Sequence, residues 1–376
     1  MLLLIPGPVS THASVRAAAA KDYAPWDNDF CDIYARIRRR VVTLAGGDPA
    51  HHACLPLPGA GHFALEAAIR SFVPQNGRIL LPATGQYADR LARLATETGR
   101  TIIRLPVPAD TKADPAALHQ ALAADPTITH AALVYSETST GIVHDVPALA
   151  AAAARTGRRV IVDAVSAFGA LPFDIATLPM VDAVIFTANK CMEGLPGMSF
   201  TVSPIDRLQA CANQAQSWSF DLSALYQHAL QHGWGSHRFT PAAGIIAAFD
   251  VALDLFDAEG GQPARLARYT ANMQAARDGA RAAGLPPCLP DAVQGPIVLN
   301  VEAPPRLAQD DPAWDLQHFV DGVKSRGFIL SNFYNTPEPS IRIGCIGAIT
   351  PHDMRAATAA MAETLAEMRI PTRRAA

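Results

Sequence analysis

The chain has 376 residues, 49% of them apolar, and a formal net charge of -3. That length is generous for one core and sufficient for two. The near-neutral balance, with no basic block, argues against a nucleic-acid partner, and no apolar run reaches the length of a membrane span.

Six cysteines (Cys31, Cys54, Cys191, Cys211, Cys288 and Cys345) are scattered. They form no CxxC pair and no Cys/His cluster, so reduced thiols in a cytoplasmic protein without a metal site are expected. The opening MLLLIPGPVS lacks a basic region and is cut by Pro-Gly-Pro, unlike a signal peptide.

Short apolar runs alternate with alanine-rich helical stretches. In chain order, a helix is predicted over Gly61–Val73, a strand over Arg78–Leu81, a helix over Ala88–Thr98 and a strand over Thr101–Leu105. A helix over Pro115–Ala124, a strand over His130–Val134 and a helix over Val146–Ala154 follow, then strands over Val160–Val162, Ala183–Phe186 and Ser199–Val202. That rhythm predicts an α/β fold, a mainly parallel sheet with helices on both faces. From about Asp254 the pattern changes. A long polar helix over Ala264–Ala283 leads to a strand over Ile297–Val301, a further helix, strands around Phe328–Leu330 and Ile341–Ile343, and a last helix from Pro351. We expect a large domain over residues 15–255, and a smaller α+β domain from residues 1–14 and 256–376.

The chemistry centres on two strand ends. The strand Val160–Val162 runs into Asp163, and Ala183–Phe186 runs into Thr187, Ala188, Asn189 and Lys190. Sites of open parallel sheets lie outside the carboxyl ends of strands. A lysine and an aspartate placed there suit pyridoxal 5'-phosphate: the lysine forms a Schiff base and the aspartate keeps the pyridine nitrogen protonated. The plainer alternative is a surface lysine and a helix-capping aspartate. Upstream, Gly59 and Gly61 precede an amphipathic helix, a turn that either holds an anion on backbone N–H groups or is simply tight. Tyr87, at a helix start, either stacks on a flat ring or is an ordinary half-buried tyrosine. Arg342 interrupts a short apolar strand, and its fork either grips a carboxylate, phosphate or phosphonate or forms a rim salt bridge.

Together PGPVST, PWDNDF, GAGHFALEA, TGQYADR, YSETSTG, VDAVSAFGALPFDI, TANKCMEGLPG, SWSFDL, RFT and IRIGCIG resemble the class V aminotransferases of fold type I, over nearly the whole chain. Within that family the similarity is to enzymes that move the amino group of 2-aminoethylphosphonate to pyruvate, giving phosphonoacetaldehyde and alanine. The resemblance implies a homodimer. It implies that Lys190 carries the cofactor and shuttles the proton, Asp163 bonds the pyridine nitrogen, and Tyr87 stacks on the ring. Gly59, Ala60, Gly61 and His62 would approach the cofactor phosphate, and Thr138 would flank the ring oxygen. Thr240 would reach the phosphate of the neighbouring subunit. Arg342 would hold the acidic end of the substrate.

The departures lie near the substrate. Ala60 and His62 stand where the family often has a serine and a small or hydroxyl residue, His62 being more like alanine–glyoxylate aminotransferases. Pro241, Ala242, Ala243 and Gly244 replace a usual Ser-Pro-Thr-His, and Tyr334 aligns with a lysine. Two other outcomes share the first chemical steps: an alanine–glyoxylate exchange, and an ammonia-lyase acting on 1-hydroxy-2-aminoethylphosphonate, in which Tyr334 is either a proton donor or simply a packing tyrosine in its loop.

Overall fold

The computed structural model describes residues 1–304, 314–331 and 340–370. Its elements are β1 (Leu2–Leu4), α1 (Ala13–Ala18), α2 (Asn28–Leu44), β2 (His52–Pro58), α3 (Gly61–Phe72), β3 (Arg78–Ala83), α4 (Gln86–Glu97), β4 (Thr101–Pro106), α5 (Pro115–Ala124), β5 (Ile128–Val134), β6 (Ser136–Glu137), β7 (Ile142–Val143), α6 (Val146–Ala154), β8 (Arg159–Asp163), β9 (Val181–Thr187) and β10 (Met198–Pro204). The second half adds α7 (Ile205–Ala210), α8 (Leu222–His232), α9 (Ala243–Glu259), α10 (Gly261–Ala282), β11 (Val298–Glu302), α11 (Leu316–Ser325), β12 (Phe328–Leu330), β13 (Ser340–Gly344) and α12 (Pro351–Glu367).

Seven strands form the main sheet in the order β2-β10-β9-β8-β5-β3-β4. The pairs from β9 through β8, β5 and β3 to β4 are parallel, and β10 runs antiparallel to both β9 and β2. Strands β8 and β9 are apolar and buried on both faces, as strands covered by helices on each side must be. One apolar cluster packs α2, α5, α6 and α9 on one face. Another packs α3, α4 and α8 on the other.

Helix starts are chemically marked. Asp114 and Asp145 accept backbone N–H bonds at the starts of α5 and α6, and a proline follows in each first turn. The C-terminal layer has its own apolar cluster, drawn from α10, β11, α11, β13 and α12, with Leu4 of β1 included. β1 pairs in parallel with β12, so the first residues of the chain lie beside the last third.

Sequence reasoning did not mark β2. Its sequence HACLPLP carries two prolines, which cannot donate to a ladder, and the strand accordingly lies on the sheet edge.

Candidate active site

The carboxyl ends of β8 and β9 are adjacent, with Asp163 in register with Ile185. Asp163 is the last residue of β8, and Lys190 follows the end of β9 by three residues. Both line one cleft of about 190 Å³, together with Ala60, Gly61, His62, Tyr87 and Arg90. The Lys190 Nζ donates to Ser166 Oγ at 2.9 Å, and Ser166 Oγ lies 2.7 Å from Thr138 Oγ1. Thr138 is fully buried, so it meets the lysine through Ser166.

Asp163 is buried, and its Oδ1 accepts the amide of Val165 at 3.0 Å. Burial pushes its carboxyl up to about 6, against the opposing pull of the Val165 amide, Lys190 and Arg90. A carboxylate held in this way gains most from a protonated nitrogen placed beside it.

Tyr87 sits in the first turn of α4, with Lys190 Nζ 5.4 Å and the Arg90 guanidinium 4.8 Å from its ring centre. The start of α4 is held by Glu137, which is fully buried. Its carboxylate accepts the amides of Tyr87 at 3.2 Å, Ala88 at 3.4 Å and Ser139 at 3.1 Å. An anion at a helix start matches the helix dipole.

The start of α3 closes the other side. Ala60 occupies the N-cap and makes no side-chain cap bond, so the N–H groups of the first turn have no side-chain acceptor from it. Gly59 reaches that turn through φ of +125°, a conformation glycine adopts at little cost. The His62 ring packs 4.5 Å from that of Phe63, and burial, then the charge of Arg90, lowers its basicity.

The donor set suits pyridoxal 5'-phosphate: an amine, a buried carboxylate, an aromatic face and an uncapped helix start around one cleft. The N-terminal segment forms part of the wall. A Cβ on Gly7 would fall 3.1 Å from the Cε and Cγ of Lys190, and the Val9 amide donates to Asn189 O at 3.3 Å. Only glycine lets that backbone approach the lysine so closely.

Four expected residues, Gly59, Thr138, Arg342 and Thr240, do not line the cleft, Gly59 and Thr138 standing just behind it. Arg342, in β13, is almost wholly buried. Burial lowers its basicity, while the charges of Tyr87 and Glu137 act the other way. Thr240 is exposed and does not line the cleft of its own chain. Tyr334 lies outside the described residues. Sequence reasoning missed Gly7, Arg90, Glu137 and Ser166. All four sit within the segments PGPVST, TGQYADR, YSETSTG and VDAVSAFG, so only their individual roles are unmarked in the sequence.

The class-V aminotransferase family model matches residues 12–274. The chain is 42% identical over 374 residues to a 2-aminoethylphosphonate–pyruvate transaminase of Burkholderia ambifaria, covering 99% of this chain and 98% of that one. It is 40% identical to a protein of the same name from Pseudomonas fluorescens, covering 98% of each. Among solved structures it is similar to pyridoxamine-pyruvate aminotransferase from Mesorhizobium loti, with a TM-score of 0.87 and 24% identity over 99% of this chain and 93% of that one. A Thermus thermophilus aspartate aminotransferase gives a TM-score of 0.84 at 21% identity, over 98% of this chain and all of that one. With its matched span and its relatives both covering most of its length, the chain belongs to the class-V aminotransferase family.

Proposed function

We propose that the protein transfers the amino group of 2-aminoethylphosphonate to pyruvate, giving phosphonoacetaldehyde and L-alanine, with pyridoxal 5'-phosphate as cofactor. The observation that carries this reading is the meeting of Lys190, Asp163 and Tyr87 in one cleft. The names of the full-length relatives supply the substrate pair.

When bound, pyridoxal phosphate supplies an electron sink for the charge left when the amine-bearing carbon loses its proton. Lys190 Nζ holds the cofactor between turnovers, and as a free amine it takes that proton and returns it elsewhere. Ser166 Oγ orients Nζ. Asp163 would keep a proton on the ring nitrogen, and Tyr87 would hold the ring face. Gly59, Ala60, Gly61 and His62 would receive the phosphate at the start of α3, and Thr138, bonded to Ser166, would flank the ring oxygen. Arg342 pairs with the oxyanion of the substrate, a task its planar fork suits.

A homodimer is part of this reading. Trp26 and Trp218 are 79% and 71% exposed, surface a second copy would cover, and Thr240 is placed outward, where it could serve a neighbour's phosphate. A large unit over 15–255 and a small one from 1–14 and 256–376 fit the separate apolar cluster of the C-terminal layer. A cytoplasmic location fits six free thiols, and no helix among the described residues is long and apolar enough to cross a membrane.

Two parallel incubations of cofactor-loaded protein, read by phosphorus NMR with alanine and ammonia assays, test the reaction. Alanine and phosphonoacetaldehyde from 2-aminoethylphosphonate and pyruvate are expected. Ammonia from 1-hydroxy-2-aminoethylphosphonate without a keto acid, with the first tube silent, would replace the transaminase by a lyase.

A further inference from the structure

The long polar helix near residue 264 has no task in the chemistry above. Its polar stripe is nonetheless buried. Arg265, Arg268, Tyr269 and Asn272 recur at helical spacing and so share one face of α10. Arg265, Tyr269 and Asn272 are each 1% exposed or less.

This face meets two turns at once. The first follows Lys190. There Arg265 Nη1 donates to Cys191 O, Arg268 Nη2 donates to Glu193 Oε1 at 2.7 Å, and Tyr269 Oη donates to the same oxygen at 2.6 Å. Glu193 adopts a left-handed backbone, φ +56°, which turns its carboxylate toward α10 at some cost in strain. The second turn follows the strand of Arg342. Arg268 Nη1 donates to Gly347 O at 2.6 Å, and Asn272 Nδ2 donates to Cys345 O at 3.1 Å and Ile349 O at 3.2 Å. The Gly347 amide donates to Tyr269 Oη at 3.2 Å.

Tyr269 Oη therefore touches both turns, as donor to one and acceptor from the other. Glu259 completes the cluster, taking Arg265 Nε and Arg268 Nε at 2.7 Å each. Two arginines and two carboxylates balance, which lets the charges be buried together.

We infer that Tyr269, Arg268 and Glu193 are positioning residues that fix Lys190 relative to Arg342, the reacting amine relative to the oxyanion anchor. The inference rests on the role proposed above for Arg342. A substrate gripped at both ends reacts only if their spacing is correct, and misplacement by about 1 Å costs roughly a hundredfold in rate. A brace serving only stability would carry no such link to the substrate.

The test is a cycle of Tyr269→Phe and Arg342→Gln in cofactor-loaded protein. Tyr269→Phe removes one oxygen and opens no cavity, and a thermal melt verifies that it folds. Two quantities are measured: kcat/KM for 2-aminoethylphosphonate, and the calorimetric Kd of ethylphosphonate, which has the oxyanion but no amine. Arg342→Gln is expected to weaken ethylphosphonate at least tenfold. Tyr269→Phe is expected to leave that Kd within twofold of wild type, because the anchor itself is intact. Tyr269→Phe should lower kcat/KM about a hundredfold when Arg342 is present and less than threefold in the Arg342→Gln background. Equal losses in both backgrounds, or no loss in either, would overturn the positioning role alone. Unchanged ethylphosphonate affinity in Arg342→Gln would overturn the Arg342 reading and the inference with it.

Discussion

The amine of Lys190 is hydrogen-bonded to Ser166, three residues beyond Asp163, at 2.9 Å. One short turn thus carries both the carboxylate and the hydroxyl that serve the lysine. Ser166→Ala removes the hydroxyl that aims Nζ while leaving Asp163 in place. We predict that this variant retains its bound cofactor, seen by absorbance, while kcat falls about tenfold. An orienting hydrogen bond of this kind is worth about 1 kcal/mol or a little more.

Asp163 sets a pH dependence with a definite sign. Its carboxyl lies at about 6 in the folded chain against an ordinary 3.8, so ionising it costs folding energy. That cost is absent below pH 4, grows between pH 4 and 6, and is fully present above, at about 3 kcal/mol. Asp163→Asn removes it. In cofactor-free protein the variant should therefore melt a few degrees above wild type at pH 7 to 8, and the gap should close below pH 4. The same variant should lose at least a hundredfold in turnover. Melting curves across this range, beside one activity assay, check both statements.

Asp182 offers a contrast far from the cleft. It is fully buried at the start of β9, where His130 Nε2 lies at 3.2 Å and Arg159 and Arg207 donate at 2.7 and 2.8 Å. Burial raises its carboxyl, but the bonds from His130, Arg207 and Arg159 outweigh that and hold it below the usual range. Its stabilisation is therefore present above the ordinary carboxylate pKa and is lost as pH falls. Asp182→Asn should cost about 3–5 kcal/mol, because two guanidinium groups lose their counter-charge. KM for both substrates should stay within twofold of wild type at temperatures where the variant is folded. Chemical denaturation together with steady-state kinetics would show the split.

Arg90 stands exposed at the cleft wall, 4.8 Å from the Tyr87 ring centre. Both proposed substrates are anions, and a cation at the mouth raises their local concentration. Arg90→Gln should raise KM for each by about tenfold with a smaller change in kcat. It should also flatten the decline of kcat/KM with ionic strength. A salt series on both proteins provides the comparison.

Local signals made much of this structure legible. α5 and α6 are as expected because Asp114 and Asp145 cap them and a proline follows in the first turn. β8 and β9 were readable as short apolar runs, and the polar residues ending them exposed Asp163 and Lys190 as a pair. Where the signal depends on tertiary contacts, sequence reading fails. β2 hides behind two prolines that only an edge position permits. α9 is apolar on most of its faces because it is largely buried, and it shows no clean helical period. Gly7 meets Lys190 across more than 180 residues, and Glu137 reaches the start of α4 from a two-residue strand. Their segments, PGPVST and YSETSTG, carry the resemblance, but nothing in them marks these long-range contacts.

The most direct test concerns Lys190 itself. Protein incubated with pyridoxal phosphate is reduced with borohydride, digested, and its labelled peptide sequenced by mass spectrometry. A pyridoxyl group on Lys190, lost together with the absorbance band and turnover in Lys190→Ala, is the predicted result. A label on another lysine, or turnover that survives Lys190→Ala, would contradict it.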